Sequence, residues 1–418
     1  MKKIILSLII LISIIGCAQE ITEKALEEPT EEIPTERIEE PQPEEIPLEA
    51  LNETKKPEDE KPIEAETLVD EKEQTKETPK KQWTTETADD DGWVGIDSSI
   101  AVDAEGNPHI SHFDAKNKDL KYAYKKGGVW FKEVIDSKGH VGEESGIAVD
   151  KKSNIHISYN DATNGALKYA KKTGGSWSIE TVDKKSGAHV VTTSLALDAK
   201  GNPHIAYNME SPNGGFVKYA SWNGNSWKIE ETTKGGSDVY LALDSNDNPH
   251  IAFLEGNLRN KKIYYTRKIS GTWKTEVVDS STLAGGDCGI DVDSNNNVHL
   301  TYHDYGKGAI KYAKFEGNSW KIQTVAENRG KQEGLRLAVD SQNVPHIVYV
   351  DEMKEKLMHA FLDDNSWTKE IVSKMGIPSI FIDSLDNVHV SYGSITDEET
   401  IDPETGEEIE ILKYSVKK

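Results

Sequence analysis

The sequence predicts an all-β fold made of seven copies of one four-strand unit. Three observations carry this: a motif at regular spacing, four strand patterns within each repeat, and one strand pattern displaced to the other end of the repeat region. The motif runs "AVDAEGNPHI", "AVDKKSNIHI", "ALDAKGNPHI", "ALDSNDNPHI", "DVDSNNNVHL", "AVDSQNVPHI" and "FIDSLDNVHV". Its aspartates are Asp103, Asp150, Asp198, Asp244, Asp293, Asp340 and Asp383, spaced 47, 48, 46, 49, 47 and 43 residues apart. Six residues after each comes a histidine: His109, His156, His204, His250, His299, His346 and His389. A period of 40–50 residues with short β-like runs is the signature of a β-propeller, in which each repeat is one blade.

The strands follow in order. The first is the apolar run before the Asp, as in "SIAVD", and the second follows the turn, as in "HISYND". The third centres on Tyr122, Tyr169, Tyr219, Tyr265, Tyr312, His359 and Tyr414. The fourth starts at a tryptophan after a Gly/Asn/Ser turn, at Trp130, Trp177, Trp227, Trp273, Trp320 and Trp367. These runs have the alternation and turn residues of antiparallel strands, and no repeat has a useful helical period. The seventh repeat ends at "LKYSVKK", before any fourth strand, whereas residues 83–89, "WTTETAD", match "WSIETVD" at 177–183. The expectation is therefore a seven-bladed propeller over residues 83–418 whose last blade is closed by the N-terminal strand 83–89, leaving no open seam.

Upstream lies different material. Residues 1–16, "MKKIILSLIILISIIG", have two lysines, an apolar run and a small residue before Cys17, the pattern of a secretory signal. The ending "IIGC" resembles the lipobox of prokaryotic lipoproteins, which implies cleavage before Cys17, lipidation there, and a place in the cell envelope facing outside the cytoplasm. Residues 18–82 hold 22 Asp/Glu against 9 Lys/Arg, 8 of the 15 prolines, and no Phe, Trp or Tyr. Such a segment buries too little apolar surface to offset its ordering entropy, and reads as a disordered acidic stalk. With Cys17 lipidated, Cys288 has no disulfide partner.

The net charge of −24 includes about −13 from residues 83–418, which argues against a nucleic-acid partner. The membrane is reached through the lipid, and the remaining partner is a glycan or a protein.

The Asp–His pairs invite a catalytic or metal reading. Seven copies around a ring stand a blade apart, about 10 Å or more, too far to share one ion through ligands at about 2.0–2.2 Å. "DSNNN" (293–297) has calcium-like alternation, but "DKKSN" and "DAKGN" put Lys152 and Lys200 where a ligand belongs. The pairs are therefore read as structural turn pairs, the Asp capping the turn and the His opening strand two. No metal, cofactor or catalytic residue is expected.

Propeller ligands usually meet the opposite face, made by the loops between blades and those joining strands two and three. There the repeat breaks down. Candidate ligand-binding residues are Trp93, Asp97, Glu144, Tyr240, Asp287 and Arg336 before first strands, with His303, Asp304 and Tyr305 after a second strand. Trp93 either stacks on a ligand or packs over the junction of blades 7 and 1. Trp222, on the other face, reads as incidental.

"LALDSNDNPHIAF" and "NGNSWKIE" resemble repeats of secreted propellers grouped with the non-viral sialidase-like and lectin-like proteins. The resemblance spans 83–418 and implies a propeller, with a sugar as its ligand class. It does not carry the sialidase site. "SWNGNSW" (221–227) falls one residue short of the S-x-D-x-G-x-x-W box and lacks its Asp. A three-arginine clamp is also not available from Arg259, Arg267, Arg329 and Arg336, of which only Arg336 is placed near the axis. The expected function is non-catalytic binding of a glycan or protein at the cell surface. The alternatives are a sialidase-type hydrolase or lyase acting on polysaccharide, and a scaffold in an envelope complex.

Overall fold

The computed structural model describes residues 81–212, 214–256, 260–280, 283–328, 334–395 and 410–418, with the side chains of 284–286 and 395 excepted. The expected signal, Cys17 and nearly all of the stalk lie outside these residues, as do Arg259 and Arg329.

The described chain forms seven four-stranded antiparallel sheets. Blade 1 is Val94–Val102, Pro108–Asp114, Asp119–Lys126 and Val129–Asp136. Blade 2 is Gly146–Val149, Ile155–Asp161, Ala166–Thr173 and Ser176–Lys184; blade 3 is His189–Leu197, Pro203–Glu210, Phe216–Trp222 and Trp227–Lys234. Blade 4 is Ser237–Leu243, Pro249–Glu255, Lys262–Ile269 and Thr272–Val277; blade 5 is Ala284–Val292, Val298–Asp304, Ala309–Glu316 and Ser319–Glu327. Blade 6 is Leu335–Val339, Pro345–Asp351, Lys356–Asp363 and Ser366–Lys374. Blade 7 takes Pro378–Ile382, Val388–Ile395 and Glu410–Lys417 from the C-terminus and Trp83–Asp89 from the N-terminus, in register from Trp83 opposite Lys417 to Asp89 opposite Leu412. First strands touch their neighbours all the way round, so the sheets close into a ring about a central axis.

Second strands are buried along nearly their whole length, while fourth strands at the rim alternate exposed and half-buried. The apolar clusters lie between blades rather than within them; one joins Leu120 and Tyr122 to Ile147, Ile155 and Ile157. Each sheet thus buries its faces against the next, and no blade has a core of its own.

One polar circuit links the blades seven times. A third-strand aromatic meets the tryptophan of the next blade edge-on, with centroids 5.2–5.5 Å apart at 67–82°. That tryptophan's indole N–H donates to a fourth-strand Glu (Gln323 in one case) of the preceding blade at 2.8–3.2 Å. The N-terminal strand completes the circuit, with Trp83 donating to Glu370 and Glu86 accepting from Trp130. This is why "WTTETAD" carries both a Trp and a Glu.

Candidate functional site

The Asp–turn–His corners have a structural geometry. Asp103 Oδ1 accepts the backbone N–H of Glu105 at 2.9 Å and of Asn107 at 2.8 Å, and Oδ2 accepts the Asn107 amide at 2.9 Å. The same backbone pair recurs at the other six aspartates. His Nε2 lies 3.0–3.7 Å from its Asp in all seven blades. With Nε2 turned to a carboxylate, Nδ1 is the acceptor, and in six blades the third-strand tyrosine donates its hydroxyl to it. Burial pulls all seven imidazoles below their usual pKa, so they are neutral. In six blades an Asn amide of the turn also donates to Oδ2, while in blade 6 Val344 replaces that Asn and Asp340 Oδ2 meets only His346 among the described residues.

The other end of the channel is built differently. Counting six residues back from the repeated Asp gives Asp97, Glu144, Thr192, Asp238, Asp287, Gly334 and Ile377. In blades 1, 3, 4 and 5 the first strand is bulged near this position. Asp97, Glu144 and Asp238 have φ of 49°, 49° and 51°, in the left-handed region that blade 6 fills with Gly334 at 79°. A carboxylate residue held where glycine is favoured carries backbone strain of about 1 kcal/mol or more.

These bulges shape a cavity of about 120 Å³ on the axis, lined by Asp97, Ser98, Ser99, Glu144, Ser145, Thr193, Ser194, Tyr240 and Arg336, among others. Its polar wall belongs to blades 1–3. There a residue five before the repeated Asp joins a second-strand hydroxyl of the preceding blade: Ser98 with Ser391 at 3.0 Å, Ser145 with Ser111 at 2.8 Å, and Thr193 with Ser158 at 2.9 Å. Blades 4–7 put Val239, Cys288, Leu335 and Pro378 at that position, so their seams are apolar or carry a thiol.

Asp287 organises the far wall. It accepts the Tyr240 hydroxyl at 2.9 Å and the backbone N–H of Gly334 and Leu335 at 3.2 and 3.3 Å, and it pairs with the Arg336 guanidinium. Arg336 lies over the Tyr240 ring, 4.7 Å from its centroid. Arg336 is thereby already neutralised within the protein. The Glu144 carboxylate accepts no hydrogen bond among the described residues. Burial, reinforced by Asp97, pushes its pKa well above the usual carboxylate range. Burial likewise raises Asp238, against the pull of Lys261 at 3.2 Å, and raises the Cys288 thiol, which leaves that sulfur a poor nucleophile.

Of the sequence-derived candidates, Asp97, Glu144, Tyr240, Asp287 and Arg336 are thus brought together. Trp93, His303, Asp304 and Tyr305 do not line this cavity. Trp93 is half-buried above blade 1, its carbonyl accepting from Ala115 and its indole N–H buried without a partner among the described residues. His303 is buried in blade 5, and Tyr305 is 44 % exposed beyond it. Asp304 caps the turn after strand two through the Lys307 N–H, as Asp161 does with Asn164 and Asp351 with Lys354. That recurrence ("YND", "YHD", "YVD") was readable as a repeat column. Asp238 was missed because "GGSDVY" reads as a loop until its place is counted from Asp244.

No protein-family model matches the chain, and no curated protein matches it. Solved structures do. A polysaccharide lyase, Uly1, superposes with a TM-score of 0.50 at 9 % identity over 77 % of this chain and 89 % of its own. The phage phi92 endosialidase gives 0.50 at 8 % identity over 81 % of this chain and 69 % of its own. The six-bladed fucose-recognising lectin of Aleuria aurantia gives 0.48 at 14 % identity over 69 % and 98 %. At these identities the likeness is one of fold alone, and the chain's own seven four-stranded sheets make it a seven-bladed β-propeller.

Proposed function

We propose that the propeller binds a neutral glycan end-on at its axial cavity without catalysis, and that lipid on Cys17 holds it at the outer face of the cell envelope with residues 18–82 as spacer. One observation carries the binding reading. Where the repeat breaks, it leaves carboxylates and hydroxyls facing one cavity: Asp97 and Glu144 beside Ser98, Ser99, Ser145, Thr193 and Ser194. Such acceptors and donors match the paired hydroxyls of a sugar. Whole-ligand pockets run about 300–1,000 Å³, so a cavity of about 120 Å³ suits the tip of a glycan rather than a whole chain. Anionic sugars are disfavoured, because the one arginine present is held by Asp287 and carboxylates dominate the rest. The anchoring reading rests on the sequence pattern of residues 1–17 alone.

The test is an array of neutral, acidic and amino glycans probed with the chain and with Asp97→Asn and Glu144→Gln. The expected result is retention on neutral glycans, weakened at least about tenfold by either change. Retention on acidic glycans only, or capture by an envelope protein with no glycan binding, overturns it. One observation favours a second reading, a hydrolase or lyase. Glu144 stays protonated to higher pH, as a general acid must. Sugar released from a polysaccharide by the chain, and not by Glu144→Gln, would establish catalysis in place of simple binding.

A further inference from the structure

A second departure from the repeat lies at the opposite end of the blades. Three residues after the third-strand Tyr or His, blades 1, 2, 4 and 7 carry Lys125, Lys172, Lys268 and Lys417. Each pairs with the fourth-strand Glu of the preceding blade at 2.5–2.6 Å, the same Glu that receives the tryptophan indole. Blade 3 has Trp222 there instead. Glu180, the facing Glu of blade 2, accepts only the Trp227 indole, at 3.0 Å through Oε1. No lysine or arginine pairs with it among the described residues. The other two exceptions differ in kind. Phe315 packs on Tyr265 and Trp320 and lies under Arg267, while blade 6 has Leu362 and the residue in the Glu place of blade 5 is the uncharged Gln323.

The lysine-to-tryptophan change opens a groove between blades 2 and 3. It holds about 460 Å³ and is lined by Tyr169, Lys171, Ile179, Glu180, Asn202 and Trp222, among others. Trp222 is braced edge-on by Trp227, with centroids 5.5 Å apart at 65°. Lys171 makes no ion pair among the described residues. The groove therefore combines a fixed aromatic face, a carboxylate lacking a cation, and an ammonium lacking an anion. An anionic ligand meets Glu180 unfavourably, and a purely apolar one strips water from both charges without replacing it. A saccharide ring satisfies all three, with C–H groups for the indole and hydroxyls that donate to Glu180 and accept from Lys171.

We propose that this groove is a saccharide-binding site separate from the axial cavity, with Trp222 as stacking platform and Glu180 as hydroxyl acceptor. It does not depend on the axial reading. The experiment titrates the chain with neutral hexasaccharides (β-1,4-glucan, β-1,3-glucan, mannan and chitin fragments), following tryptophan emission and heat. The key variant is Trp222→Lys, which restores the residue of four other blades and its pairing with the facing Glu, so folding is expected to be kept and circular dichroism checks it. The expected result is saturable binding that Trp222→Lys weakens about tenfold or more and Trp222→Phe weakens less. No response to any hexasaccharide up to about 10 mM, the weak limit of specific affinity, overturns the proposal. Binding kept in Trp222→Lys but lost in Asp97→Asn also overturns it, and assigns the sugar to the axial cavity.

Discussion

The two ends of this propeller are made from the same strands but follow opposite rules. At the corner end, six of the seven Asp–turn–His units make the same contacts and blade 6 alone departs, whereas at the axial end the equivalent column reads Asp97, Glu144, Thr192, Asp238, Asp287, Gly334 and Ile377. Repetition marks what holds each blade's corner, and divergence marks the end where the proposed ligand would sit. Six of the corner carboxylates take their bonds from the turn and the histidine on both oxygens. At the axial end, the Glu144 carboxylate accepts no hydrogen bond among the described residues although it lines the cavity.

That contrast can be broken from the corner end with the largest effect. Asp293→Ala removes an almost wholly buried carboxylate that accepts from Asn295, Asn297 and His299. A loss of about 3–5 kcal/mol is expected, read as a lower midpoint in denaturant, because a cluster of charge-assisted bonds goes and the His299 donor stays buried. Acid should act on the same end. Nine buried imidazoles, the seven corner histidines with His112 and His359, have pKa values lowered by burial. The unfolded chain then binds protons that the folded chain refuses. Stability is full above the unfolded value of about 6.5 and falls as pH drops toward the folded values, His346 reaching about 4. Melting scans between pH 8 and pH 4 should show this fall, and a flat profile would contradict it.

Blade 6 sharpens the comparison because it alone breaks the corner rule. His359 replaces tyrosine there, with His346 Nδ1 2.9 Å from His359 Nε2, His359 Nδ1 2.8 Å from Glu370, and His346 Nε2 3.4 Å from Asp340. Three bonds need three protons and two neutral imidazoles carry two, while burial opposes adding a third. His359→Tyr, restoring the residue of the other six blades, should raise stability by about 1 kcal/mol, measured as a higher melting temperature at pH 7. The smallest effect is expected at the axial end. For Glu144 the folded pKa is raised, so the group destabilises the fold as pH climbs above the unfolded value. Glu144→Gln should leave stability near pH 4 unchanged and raise it at pH 8. A destabilised variant at pH 8 would mean that the carboxylate has a structural role.

Much of this was legible in the sequence, and the reason is periodicity. Seven copies of one spacing revealed the blade number, and the match of "WTTETAD" to "WSIETVD" revealed the closing strand, a match that persists because its Trp and Glu both serve in the inter-blade circuit. Asp97, Glu144, Asp287 and Arg336 stood out as departures near the axis. What did not stand out depended on backbone shape. The bulges of blades 1, 3, 4 and 5 and the left-handed backbone of Asp97, Glu144 and Asp238 leave no mark in composition, and the pairing of Arg336 with Asp287 spans two blades. Trp222 looked incidental because it was read within its own blade. Its meaning lies in the column of lysines it interrupts. Asp304 looked distinctive for the converse reason, since its counterparts in other blades were not lined up with it.

The closing strand has a mechanical consequence. Trp83–Asp89 is the outermost strand of its blade, and its six registered partners lie in the strand Glu410–Lys417. Tension entering through the N-terminus therefore reaches the fold first at the one seam that joins its two ends. Pulled along the strand, that seam loads its ladder bonds together in shear. Pulled sideways, it opens from Trp83 one rung at a time, resisted at the start by the Trp83–Glu370 bond and the grip of Lys81 on the Asp386 carbonyl. The same strand that makes the ring seamless is thus its tear line.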